Sequence, residues 1–343
     1  MSTKERKRDY EQTKFEKFKA RIKGALYDVS VKLAPKNKKP SSTHKRKLRE
    51  KAFYWSVVIL PLIHFLLFYV YVNINSILLA FKQYTVDASG YSSFAWVGFD
   101  NFKLILSEFI YGTKLKQIGI NSLVVYFVNL FAGVPLSLLF SYYLFKKGKF
   151  TGFFRVMLYL PSIISSIVTV TMYKFLVDRG IMQVASLMGK EIMPPMSNNS
   201  LMLPFVIFYN VLVGFGTSTV MYSSAMSRID ESLFEYASLD GVSPSREFFS
   251  IVLPLIYPTI VTFLVVGVAG IFINQANLFT FYSSEASANV QTFGYYMFVM
   301  VSRSTNVEYP TAAAYGLLFT VIAAPLTLLV KRLLDRFDPQ VEY

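Results

Sequence analysis

Six stretches of this chain run for roughly the thickness of a lipid bilayer without an Asp, Glu, Lys or Arg, and this pattern constrains the fold most. A helix needs about 20 predominantly apolar residues to cross the hydrocarbon layer. The runs are 52–81, 117–145, 156–173, part of 192–227 from about Leu201, part of 248–284 from Pro254, and 309–330. The third is the shortest and ends at Lys174, whose long stem can snorkel to the interface. Prolines stand in or at the start of every run: Pro61, Pro135, Pro161, Pro204, Pro254, Pro258, Pro310 and Pro325. Membrane helices tolerate proline where neighbours satisfy the freed carbonyls, as around a cavity. The pattern predicts an all-α membrane protein of six transmembrane helices. A further uncharged stretch, 286–302, is short and carries Asn289, Gln291, Thr292 and Gly294. It reads as a surface-lying segment on the outer side and not as a seventh span.

Composition agrees. Of 343 residues 53% are hydrophobic and only 16% charged, unlike an ordinary soluble domain. There is no cysteine, which excludes disulfides and thiolate chemistry, and the two histidines, His44 and His64, are too few for a histidine metal site. The net charge of +14 would fit a nucleic-acid binder if it were spread along the chain. Residues 1–52, however, hold 18 Lys and Arg against six Asp and Glu, a net +12. A basic cluster abutting an apolar run is a cytoplasmic topology anchor that meets anionic membrane lipid, and no nucleic acid is expected. The tail is too long and too charged for a signal peptide. The chain therefore divides into a basic cytoplasmic tail, 1–52, and a membrane domain, 53–343. Six spans put both termini in the cytoplasm, together with Lys146, Lys147, Lys149, Arg155, Lys331, Arg332 and Arg336. Lys82, Lys103, Lys114 and Lys116 fall in the first outer loop and run against that bias.

Between the fourth and fifth runs lies a long charged connector, 228–254. Its first part, from Asp230 to Leu239, spaces Leu233, Tyr236 and Ala237 helically and opens on Asp230 and Glu231, as suits a helix N-terminus. Asp240-Gly241 ends that helix, since glycine takes the left-handed conformation of a C-cap. Ser243-Pro244 starts another, with serine as N-cap and proline at the first position. The object is a helix–turn–helix with an acidic face of Asp230, Glu231, Glu235 and Asp240.

This connector resembles the EAA loop of binding-protein-dependent ABC permeases, whose form is E-A-A, three residues, G, a nine-residue spacer and I-x-L-P. Glu235-Tyr236-Ala237, Gly241 and Ile251-Val252-Leu253-Pro254 stand at the matching positions. Asp240 before the glycine, and Phe248-Phe249, resemble the carbohydrate-uptake branch, of the maltose or multiple-sugar type. So do Asn121-Ser122-Leu123, the segment from Gly152 to Pro161, and Val97 to Asn101, so that the likeness runs from about residue 53 to the end. Tyr236 replaces the first alanine and Asp230 stands where the family often has proline. Those two departures bear on the details of ATPase pairing. The resemblance implies a transport subunit and not an enzyme, in a bacterial cell membrane, with a second permease subunit, a cytoplasmic ATPase dimer and an extracytoplasmic solute-binding protein as partners. The resemblance further implies that ATP closes the ATPase dimer, which moves the loop and tilts the spans. Glu235, Ala237, Asp240, Gly241, Leu253 and Pro254 are the expected coupling residues. ATP and Mg would sit on the partner, because this chain has no GxxxxGK[ST] loop and needs no cofactor of its own.

The implied solute is a sugar or oligosaccharide. Candidate contacts are polar side chains inside the spans: Asn274, Gln275 and Asn277 in the fifth, Tyr209 and Asn210 in the fourth, Tyr173 in the third and Asn129 in the second, with Thr169, Thr171 and Tyr126 near them. Such residues face a cavity or another helix. A permease for another solute is the alternative. A secondary transporter is weaker, because no run holds a carboxylate.

Overall fold

The computed structural model describes residues 43–87, 90–303 and 306–339. Most of the basic tail, up to residue 42, lies outside them. The chain divides into two units, 1–72 and 73–343. The described part of the first is a helix, α1 (Thr43–His64), that continues as a π-helical stretch, Phe65–Tyr71.

The second unit starts within α2 (Val72–Leu79). A hairpin follows, β1 (Lys82–Val86) paired antiparallel with β2 (Ser92–Trp96) in the register Lys82↔Trp96 and Tyr84↔Phe94. Then come α3 (Asp100–Tyr111), α4 (Lys114–Val128), a π stretch over Asn129–Gly133, and α5 (Val134–Phe145). The next pair is α6 (Thr151–Ile163) and α7 (Ser166–Phe175), the latter passing through another π stretch (Leu176–Gly180) into α8 (Ile181–Leu187). After α9 (Met202–Met226) the connector forms α10 (Glu231–Leu239) and α11 (Pro244–Glu247), a π stretch (Phe248–Val252) and α12 (Leu253–Leu255). The chain closes with α13 (Tyr257–Ile273), α14 (Leu278–Tyr282), α15 (Phe293–Arg303) and α16 (Tyr309–Asp335).

Among the described residues five helices are long and apolar enough to cross a membrane, 49–79, 114–145, 202–226, 257–282 and 309–335, and a sixth is counted if the bent pair α6 and α7–α8 is one span. The six expected runs all fall on these elements. In the spans from residue 114 onward no more than 28% of the most apolar window is buried, so most of that surface is left for lipid or a partner subunit.

Three sequence expectations need correction. The third run is not a straight helix: the chain bends by 102° between Thr151–Ile163 and Ser166–Leu187. Pro161 has no N–H for the carbonyl of Met157, and the backbone is extended at Ile164 and Ser165. Nor does Lys174 snorkel outward. Its Nζ donates to the Phe281 carbonyl at 3.3 Å and lies 5.2 Å over the Tyr282 ring. Finally, 286–302 does not lie on the surface. Ala286, Val290, Thr292, Phe293 and Tyr295 are buried, and α15 packs on α4, α13 and α16. Asn121 Nδ2 donates to the carbonyls of Ala288 (3.1 Å) and Gln291 (3.0 Å), and Phe293 N–H donates to Ser122 Oγ (2.9 Å). Gly294 lets α15 in, because a Cβ there would overlap the Ile273 carbonyl oxygen.

Among the described residues, packing centres on three clusters. One surrounds the junction of α13 and α14 with Tyr209, Leu278, Phe281, Val290 and Tyr295. A second joins α3, α4, α15 and α16 through Ile105, Leu115, Ile118, Phe293 and Tyr315. The third, at the connector, comprises Leu138, Tyr222, Met226, Ile229, Phe234, Phe248, Val252 and Ile256.

Candidate functional site

Two regions carry the polar chemistry, a knob formed by the connector and a cavity beside the break in the fifth span. In the knob, Asp230 is the N-cap of α10, its Oδ1 accepting from Ser232 N–H at 3.0 Å. That backbone hydrogen bond, with the Ser232 side chain, holds the exposed Asp230 carboxyl below the ordinary carboxylate range. The C-terminus closes through Val242 N–H to Ala237 O (2.9 Å) and Gly241 N–H to Ser238 O (3.1 Å), the paired bonds of a Schellman turn. Gly241 sits at φ +69°, a conformation that costs an L-residue about 1–2 kcal/mol. Ser243 then caps α11, with Pro244 in its first turn.

The buried stripe of α10 is Phe234 and Ala237, not the Leu233–Tyr236–Ala237 set that the spacing offered. Phe234 meets Phe145 of α5, ring centroids 5.0 Å apart. Tyr236 is 67% exposed and Leu239 83%, so the free face mixes large apolar groups with Glu231, Glu235 and Asp240. Asp240 occupies the C-cap position of α10. Leu253 and Pro254 are half-buried where the knob joins the fifth span. The π stretch before them ends at Val252, two residues ahead of Pro254, whose missing N–H leaves the Ser250 carbonyl without its i+4 donor. One residue escaped the sequence reading. Glu247 is only 6% exposed, with Lys146 Nζ at 2.5 Å and Tyr142 Oη donating to it at 3.0 Å. A lone Glu among Ser, Arg and Phe gives no sign of burial.

The cavity, of about 450 Å³, lies between the second and fifth spans. Its polar lining is Ser122, Tyr126, Asn129, Asn274, Gln275 and Thr292. The fifth span breaks here. Asn274 turns extended (ψ 117°), and Ala276 and Asn277 are left-handed, φ +49° and +56°. Irregular backbone at membrane depth is tolerated where it is buried in protein or lines a cavity. The break is braced by side chains: Asn274 Oδ1 accepts from Ala276 N–H (2.8 Å), and Asn210 Nδ2 donates to Ala276 O (2.9 Å). Asn277 Nδ2 in turn donates to Asn210 Oδ1 (2.8 Å), and Thr292 Oγ1 donates to Asn274 O (2.8 Å). On the facing wall, Asn129 opens the π stretch that precedes Pro135, whose missing N–H frees the Phe131 carbonyl.

The seven candidate solute contacts therefore separate. Asn129, Asn274 and Gln275 line the cavity. Tyr209 and Tyr173 are packed with Phe281, their hydroxyls bonded to Thr169 Oγ1 (2.9 Å) and to the Phe205 carbonyl (2.8 Å). Asn210 and Asn277 hold the break. Ser122 and Thr292 join the lining from segments with no polar periodicity to mark them. Close by, Tyr295 Oη donates to Ser283 O (2.9 Å) and accepts from Ala286 N–H (3.0 Å), and burial raises its phenol above the usual range.

Comparison with known proteins places this architecture. Residues 133–343 match the family described as "Binding-protein-dependent transport system inner membrane component". Protein LplB of Bacillus subtilis (strain 168) is 26% identical over 302 residues, covering 85% of this chain and 91% of that protein. The polygalacturonan/rhamnogalacturonan transport system permease protein YteP, from the same organism, is 25% identical over 303 residues, covering 87% and 92%. Among solved structures, a bacterial alginate ABC transporter in complex with an alginate pentasaccharide-bound periplasmic protein superposes with a TM-score of 0.69 at 21% identity, covering 87% of this chain and 99% of that one. At that identity the likeness shows a shared fold. The family match extends over well more than half of the chain, through the knob and the broken fifth span, and the chain belongs to the inner-membrane components of binding-protein-dependent transport systems.

Proposed function

We infer that this chain is one of two permease subunits of an ATP-driven ABC importer for a sugar or oligosaccharide. The observation that carries the reading is the free face of the knob. Leu239, Tyr236, Glu231 and Glu235 present apolar and acidic groups together on a short helix whose other face is fixed in the third cluster. The adjacency of Tyr236 and Leu239 to Glu231 and Glu235 on one exposed face suits a groove on a soluble ATPase that offers both apolar and basic groups. In this reading Glu235 meets a basic group of the ATPase, Gly241 makes the turn and Asp240 ends α10. ATP and Mg bind the ATPase dimer, and its closure moves the knobs of both permeases. The knob and both termini face the cytoplasm, with Lys146, Lys147, Arg155 and Lys331. A solute-binding protein delivers the sugar on the opposite side.

The solute reading rests on the cavity and on the relatives. Asn129, Asn274 and Gln275 offer amides that pair with sugar hydroxyls, and Tyr126 offers a face for a pyranose ring. YteP is named for polygalacturonan and rhamnogalacturonan, and MsmF of Streptococcus mutans, 22% identical, for multiple sugars. The test is uptake of labelled oligosaccharides by proteoliposomes holding both permeases and the ATPase, with binding protein outside. Saturable uptake that needs internal ATP is expected. Uptake driven by an ion gradient without ATP would overturn the reading in favour of a secondary transporter.

A further inference from the structure

The cavity has two walls, and only one is joined to the knob by the chain itself. The wall carrying Gly267, Gly270, Asn274 and Gln275 belongs to the fifth span, which grows out of the knob through α12 and α13. The facing wall, with Ser122, Tyr126 and Asn129, belongs to the second span. That span reaches the knob at its other end, through α5. From Asn129 to Lys146 is a helical rod of about 25 Å, and Tyr257 to Ile273 forms another of about the same length.

The end of α5 is fastened to the knob by charge. Lys146 Nζ lies 2.5 Å from Glu247 Oε1 and 4.8 Å over the Phe234 ring, so one ammonium meets both helices of the knob. Tyr142 Oη, one turn earlier, lies within hydrogen-bond distance of Glu247 Oε1 (3.0 Å) and the Pro244 carbonyl (3.2 Å). Glu247 is buried, so its carboxylate depends on these partners in place of water. Ser141, on the same turn, donates to the Thr219 carbonyl at 2.7 Å and ties α5 to the fourth span, which enters the knob from its other side.

We propose that Lys146, Tyr142 and Glu247 form a joint that makes the second span follow the knob, so that both walls of the cavity move together when the ATPase closes. The proposal rests on the importer reading above, and it adds what that reading lacks: a route from the knob to the wall not covalently continuous with it. Lys146, Tyr142 and Glu247 are positioning residues, since none lines the cavity.

The test uses the complete reconstituted transporter. The chain has no cysteine, so with the other subunits made cysteine-free nitroxide labels go only where cysteines are introduced, here at the exposed Leu139 of α5 and Ser245 of α11. The expected result is one label-to-label distance that stays fixed between the nucleotide-free and ATP-bound states. In Glu247→Gln it splits or broadens on ATP binding. Solute moved per ATP hydrolysed then falls about three- to tenfold in Glu247→Gln and in Lys146→Gln, the scale of coupling changes seen for residues along such networks. The exchanged pair, Lys146→Glu with Glu247→Lys, restores it. A wild-type distance that already changes on ATP binding overturns the joint, even if the single variants fail to assemble. So do single variants with an unchanged transport ratio, or an exchange that restores nothing. Failure of the unmodified complex to take up solute with ATP is a different outcome, which defeats the importer reading itself.

Discussion

In the caps and turn of the knob, residues that bond are chain neighbours: Val242 reaches Ala237, Ser232 reaches Asp230, and the glycine that permits the turn stands between the helices. Around the cavity, most partners are far apart. Asn121 reaches carbonyls 167 and 170 positions away, and Asn277 reaches Asn210 across 67. A device whose parts are contiguous keeps its spacing in the sequence and can be read from it. A device assembled across helices leaves only a scatter of polar residues, and which of them face the cavity is decided by rotations that no local pattern records.

That contrast can be broken at either end. The largest effect is expected in the knob. Proline at Gly241 fixes φ near −65° where the turn needs +69°, so Gly241→Pro should reduce ATP-driven uptake to the level without ATP while the spans still insert. Gly241→Ala should lose only about fivefold, the equivalent of about 1 kcal/mol. Next, Glu235→Ala should cut uptake about tenfold, as for loss of one charge-assisted hydrogen bond, with thermal unfolding of the purified chain unchanged. A lowered unfolding temperature would instead make Glu235 a stability residue.

The cavity offers a sharper division. Gln275→Ala should raise the apparent KM for solute about fivefold, as expected for one hydrogen bond of about 1 kcal/mol, and Asn274→Ala should do so while also loosening the break that its Oδ1 braces. Asn210→Ala should leave KM alone and lower stability by about 1–3 kcal/mol, because it strips the Ala276 carbonyl and the Asn277 amide of their partner. Detergent-state thermal melts beside binding curves measure both, and the reverse pattern would exchange the roles of Gln275 and Asn210. The smallest effect is at Asp230. Its carboxyl is held below its ordinary value of 3.8, so its capping contribution is fully present above that value and is lost as pH falls through the lowered one. Hydrogen exchange of the first α10 amides should quicken there, beyond the intrinsic pH dependence, and Asp230→Ala should remove the extra step.

How much the sequence discloses follows the same division. The spans were legible because a bilayer imposes length and apolarity, and the knob because caps and a glycine turn are local chemistry. The kink at Pro161, the break at Asn274–Asn277 and the insertion of 286–302 were not, although each has its residue: a proline inside an apolar run, an asparagine able to turn left-handed, a glycine without a Cβ. An uncharged run looks the same whether it is straight or broken. Asn210 and Asn277 have the composition of a solute site and the geometry of a brace. Glu247 looks like one more surface carboxylate until Lys146, 101 positions earlier, is brought against it.

The central claim is that the knob's free face meets the ATPase. The most direct measurement is a photo-crosslinking side chain at Tyr236, which is 67% exposed, in the intact transporter in membranes. The account predicts a crosslink to the ATP-hydrolysing subunit that is lost in Gly241→Pro. A crosslink only to lipid or to the other permease, with ATP-driven uptake intact, would contradict it.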